Sequence, residues 1–246
     1  MTNTEQRSPL SRPGFIAAAI VVGIIVLTAI IVLATSLTRG SDDNDTQPTE
    51  DTSTSSTPSA EASDESVCGL SGFDTENTLT NAPDTTWELV GTVAAPTDPK
   101  GAGPGIIDDG FRSCYAHTAE GALFASINLM AMGTDNRLAP ELSKRFLVPG
   151  PGQDAALERE KSGEDASGDQ NFRAQLAGFK INSYSADETT VDLVFQVSSS
   201  GALVSIPNVL QWSGGDWKGV TDAEGNNPLQ PAQVENLGGY IPWSGA

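Results

Sequence analysis

Residues Phe15 to Leu37 form an uncharged, apolar run of 23 residues, FIAAAIVVGIIVLTAIIVLATSL. As a helix rising ~1.5 Å per residue it spans roughly 34 Å, enough to cross the ~30 Å hydrocarbon core with a modest tilt. Arg7, Arg12 and the amino terminus precede it, whereas Arg39 and then Asp42, Asp43 and Asp45 follow it. The positive-inside bias therefore predicts a cytoplasmic tail at 1–14, a transmembrane helix at 15–37 and an extracytoplasmic remainder, giving a single-pass protein of the cell membrane. A cleaved signal peptide competes, because Val32-Leu33-Ala34 could serve a signal peptidase. Its apolar region would have to be shorter, typically ~7–15 residues, so the anchor is favoured.

Residues 38–66 read as a disordered, acidic, Ser/Thr-rich stalk. Between 41 and 66 stand eight acidic residues and twelve Ser or Thr, with no basic or aromatic side chain. Such a segment has too little apolar surface to offset the entropy of ordering. Residues 67–246 make one domain with room for a sizeable core.

The whole chain carries a formal charge of −19, and 67–246 alone has ten basic against twenty-three acidic residues. The basic residues never cluster beyond the pair Lys144-Arg145. Phosphate backbones would be repelled, so no direct nucleic-acid binding is expected. One His and two Cys cannot build a Cys/His zinc site, and no other metal or cofactor is expected. Outside the membrane the two lone cysteines, Cys68 and Cys114, pair most economically with each other, and without a CxxC motif the bridge reads as structural.

Within the domain, 67–116 is rich in Pro, Gly, Thr and Asp and reads as an extended arm with one strand at Trp87–Ala94. Residues 119–132 are good helix formers between an N-cap at Thr118 and a C-cap at Gly133. Shorter helices are predicted at Pro140–Phe146 and Asp154–Lys161, separated by a Pro/Gly loop at 148–152. After 170 the period switches to two. Strands are predicted at Phe172–Tyr184, with a bulge at Gly178, then at Thr190–Val197 and Ala202–Trp212, and a short one about Trp217 after the Gly214-Gly215 turn. Helices followed by an antiparallel meander of about four strands give an α+β domain.

Several chemical readings compete at single residues. Lys100 to Gly105 lacks the Gly-Lys-Ser/Thr ending of a phosphate loop and reads as a flexible turn. Asp108-Asp109 reads as solvated turn charge. His117, the only imidazole, is expected to cap the helix or fill a boundary position. Trp212, Trp217, Tyr240 and Trp243 are candidate protein-contact residues, though docking onto their own domain is the favoured account of so apolar a tail.

The order of helices and strands, with Ala177-Gly178-Phe179, Thr190-Val191-Asp192-Leu193 and Gln211 to Trp217, resembles the nuclear transport factor 2-like, cone-shaped fold. More narrowly, Cys68-Gly69-Leu70, Gly103-Pro104-Gly105, Cys114 to Thr118, Gly121-Ala122-Leu123 and Gly239 to Trp243 resemble actinobacterial single-pass membrane proteins of conjugation or type IV secretion-like elements. That resemblance implies a non-enzymatic assembly subunit whose partners are other proteins of a membrane apparatus and further copies of itself, with no catalytic residues. An isomerase-like or small-ligand cavity between helix and sheet is the alternative. Asp192 and Tyr184 are the nearest candidate groups for it, though Asp192 is out of phase with the apolar positions Val191, Leu193, Phe195 and Val197.

Overall fold

Apolar residues at every second position of 188–197 make the strand around which the domain is built. A computed structural model of the chain describes residues 65–162 and 173–245. The tail, the apolar segment 15–37 and nearly all of the stalk lie outside the described residues. Among the described residues no helix is long and apolar enough to cross a membrane. All of them belong to one unit, Pro58–Ala246.

The arm is two hairpins rather than one strand. The first comprises β1 (Thr86–Val90) and β2 (Val93–Thr97), the second β3 (Ile106–Asp108) and β4 (Phe111–Ser113). The continuous strand expected at 87–94 is broken because Gly91 takes a φ of 57°, the left-handed conformation a tight hairpin turn needs.

Helix α1 (Ala119–Gly133) starts where the sequence predicts, with the Thr118 hydroxyl accepting the Gly121 N–H at 3.0 Å. It continues through Gly133, and Thr134 caps it instead, its hydroxyl donating to the Ala131 carbonyl at 2.7 Å. A 3-10 turn (Ala139–Glu141) leads into α2 (Leu142–Phe146), and α3 (Pro151–Ser162) begins earlier than expected. Pro151, read from composition as loop, has the fixed φ that suits a first helical position.

The main sheet follows as β5 (Ala174–Tyr184), β6 (Glu188–Val197), β7 (Leu203–Trp212), β8 (Trp217–Gly219), β9 (Ala232–Val234) and β10 (Ile241–Pro242). It is antiparallel throughout, in the order β10-β5-β6-β7-β8, with β9 pairing the other end of β7. Two of its six strands come from the Pro/Gly-rich tail, which has no strand periodicity to reveal them. The register of β5 slips between Leu176 and Gly178, beside the expected bulge position. There the missing Cβ lets the Ile241 backbone and Leu237 approach.

Helix α1 packs on one face of this sheet. Leu123, Phe124 and Ile127 join Val191, Leu193 and Phe195 in a core closed to solvent. Trp243 pins tail and arm to that core. Its ring lies 4.8 Å from Trp87, 5.5 Å from Phe179 and 5.7 Å from Phe124, and its indole N–H donates to the Pro83 carbonyl at 3.1 Å.

Candidate functional site

The Cys68–Cys114 disulfide is present, joining Cα atoms 6.1 Å apart and closing a loop over 46 positions. Cys114 is buried and holds a φ of 63°, uncommon for a residue with a Cβ. What holds that backbone is Asp216, in the turn between β7 and β8. Its carboxylate accepts the N–H of Cys114 at 2.7 Å, of Tyr115 at 2.9 Å and of Trp217 at 2.9 Å. Burial pushes this carboxyl up to about 6, against the pull of the three N–H bonds and of Lys218.

Beside this latch, the sequence-predicted aromatics are consumed inside the fold. His117 stacks on Trp212 at 3.8 Å, with Phe73 at 4.9 Å and Trp217 at 5.7 Å. Its Nε2 donates to the Ala186 carbonyl at 2.6 Å, and the Trp217 indole N–H donates to the Ala116 carbonyl at 3.0 Å. Trp212, Trp217 and Trp243 are all buried, so of the four candidate contact residues only half-buried Tyr240 keeps substantial exposed surface. Tyr240 lies apart from the tryptophan cluster. Its hydroxyl donates to Asp192 at 2.8 Å, and the Ser205 hydroxyl donates to the same carboxylate at 2.6 Å. Asp192 therefore ties the tail to the sheet instead of converging with Tyr184, whose ring lies 5.9 Å from Trp217. Burial, and then the nearby Asp74 charge, raise the Tyr184 hydroxyl.

The glycine-rich segment is not a flexible turn. Ala102, Gly103 and Pro104 are buried, and the Gly103 and Gly105 amides donate to the carbonyls of Asp98 and Cys114, both at 2.8 Å. Its backbone groups are paired within the loop and with the segment 114–116, where the Ala116 amide donates to the Ala102 carbonyl at 3.1 Å. Asp108 and Asp109 are exposed at the β3–β4 turn, as their charge suggests.

The cavity that stands out lies elsewhere. A groove of about 450 Å³ runs between the second half of α1 (Leu129, Met130, Gly133, Thr134), α2 with Leu147, and the sheet residue Ile206 with Pro231. Among the described residues, none that lines it is ionisable. Ile206 pairs with the fully buried Leu193, so the inner wall is the core face of the sheet.

Over residues 47–242 the chain matches the family model of a domain of unknown function, DUF8175. It belongs to the DUF8175 family. No curated protein and no solved structure matches it. The DUF8175 match takes in the disulfide, the Asp216 latch and every residue of the groove, and it also reaches twenty positions into the stalk region. Among the described residues of the DUF8175 domain, no group of three or more His, Cys, Asp or Glu could hold a metal ion.

Sequence reasoning missed two features of the DUF8175 domain. Asp216 was legible only as a turn residue, because two of the amides that donate to it, those of Cys114 and Tyr115, lie about a hundred positions away. The groove had one local trace, the apolar positions Leu129 and Met130 on the helix flank that α1 leaves half-buried.

Proposed function

We propose that this protein is a non-enzymatic, membrane-anchored assembly subunit of a conjugation or type IV secretion-like apparatus. Its amino terminus is cytoplasmic, and an acidic stalk presents the extracytoplasmic DUF8175 head for contacts with other apparatus proteins and further copies of itself. The head is a nuclear transport factor 2-like cone. Helices preceding an antiparallel sheet, with α1 on one face and a bulge in β5, support that assignment.

One observation carries the functional reading. Of six large apolar side chains left exposed among the described residues, five lie on the disulfide-held arm: Val67, Phe73, Leu89, Ile106 and Ile107. Leu89 is 75% exposed and Ile107 51%. Leaving such side chains in water forgoes roughly 1.5–3 kcal/mol each, which a partner surface would recover. The reservation of the tryptophans for internal packing directs attention to this arm as the contact surface.

The test places a photoreactive amino acid at Leu89 or Ile107 in the full chain, expressed in its native cell. Irradiation should yield adducts with another copy or with a membrane-apparatus protein, identified by mass spectrometry, and a control at exposed Glu224 should not. Absence of adducts at both arm positions would remove the basis of the assembly reading.

A further inference from the structure

The groove between α1, α2 and β7 is lined by no residue of the arm and calls for a different occupant. Its walls are the side chains of Leu129, Met130, Leu142, Leu147, Ile206 and Pro231. Its volume of about 450 Å³ falls within the ~300–1,000 Å³ typical of small-molecule sites. The inner wall reaches Ile206 on the core face of the sheet, so the space lies between the layers of the fold and not across a flat surface. Met130 adds an unbranched, polarisable side chain that adapts to a flexible occupant.

Two hydroxyl-bearing residues line it, and they differ. The Thr134 hydroxyl is committed, donating to the Ala131 carbonyl at 2.7 Å and accepting the Thr92 N–H at 2.9 Å. Ser143 offers its backbone carbonyl to Gln153 at 2.9 Å, while its hydroxyl has no hydrogen bond among the described residues. With no Lys, Arg or His in the lining among the described residues, an ionised head group would be desolvated without a counter-charge, which costs several kcal/mol. A neutral group bonded to Ser143 meets no such penalty.

We propose that the groove binds a single neutral hydrocarbon chain bearing one hydrogen-bonding head, of the long-chain alcohol class, with the chain against Leu129, Met130 and Ile206 and the head at Ser143. This goes beyond the assembly reading and does not depend on it, since one rests on the groove and the other on the arm.

The experiment uses the full chain in membranes with hexadecanol carrying a mid-chain diazirine. Irradiation should place adducts on the peptides covering 129–147, and excess unlabelled hexadecanol should reduce them at least fivefold without changing background labelling elsewhere on the chain. Gly133→Leu should abolish them. A Cβ at Gly133 meets only Leu142 Cδ1, at 3.8 Å, so the new side chain fills the groove without a backbone clash. Should that variant melt early, Met130→Trp fills the same space from the next turn and must give the same loss. Ser143→Ala should weaken competition by hexadecanol about fivefold, the worth of one hydrogen bond, and leave competition by hexadecane unchanged. Labelling spread evenly over the chain, labelling that survives both filling variants, or capture of another polypeptide by a photoreactive residue at Met130 would each overturn the proposal.

Discussion

Asp216 is the residue whose replacement should be most informative about how the arm is held. Its carboxylate serves the amides of Cys114 and Tyr115, both on buried backbone, together with that of Trp217. Asp216→Ala leaves these donors without an acceptor. At about 1–3 kcal/mol for each of three buried orphans, the loss should reach roughly 3–9 kcal/mol, a large share of a typical domain's stability. Asp216→Asn keeps one acceptor oxygen and should cost less. The same residue also predicts a pH dependence. Burial raises the folded-state carboxyl from 3.8 to about 6, so the folded chain binds this proton more tightly than the unfolded chain does. The stability it contributes is fully present below about pH 4 and is lost as pH rises to about 6. A displacement of about two units corresponds to roughly 3 kcal/mol across that window. Urea unfolding of the full chain, followed by tryptophan fluorescence at half-unit steps from pH 4 to 7, reads this directly, because all four tryptophans lie in the head. Subtracting the Asp216→Asn profile isolates the one group from the other carboxylates. A difference curve that is flat, or that rises with pH, would refute the reasoning.

Other expectations follow from the same geometry. Replacing Cys68 and Cys114 by Ser frees a loop closed over 46 positions and should lower the unfolding free energy by up to about 4 kcal/mol in the chain-entropy picture, read as a fall in the urea midpoint; no fall would mean that Asp216 and packing hold the arm alone. Gly121→Ala would normally favour a helix by up to ~1 kcal/mol, but here the new Cβ lies inside contact distance of the Ala116 carbonyl, so the melting temperature should drop; a rise would show that the segment before α1 yields easily. Buried Arg112 is ion-paired with half-exposed Glu88, and its Nη1 has no hydrogen-bond partner among the described residues. Glu88→Ala should therefore destabilise by about 1–3 kcal/mol, whereas Arg112→Met should be close to neutral; equal losses in denaturant titrations would contradict this asymmetry.

Much of the backbone order was legible because it depends on near neighbours. Thr118 caps α1 since its hydroxyl needs only the amide three residues on. The alternation of Val191, Leu193 and Phe195 set both the strand and its inward face, with all three closed to solvent. Elsewhere local rules leave two outcomes open. Gly91 permitted either a strand position or a turn, and the structure makes it a turn. Strands β9 and β10 have two or three residues each, too short for any period to register.

By itself the sequence determined the α+β class, the helix start at Thr118 and the pairing of its only two cysteines, because composition, capping and period act over a few residues or leave a single choice. Tertiary structure alone decided that Asp216 meets Cys114 and Tyr115, that the glycine-rich loop is buried, that Trp212 and Trp217 close around His117, and that α1, α2 and β7 leave an apolar groove between them. These are contacts across tens to a hundred residues. No local pattern encodes them, since each exists only once the strands and helices have packed and the remaining polar groups and space have been shared out.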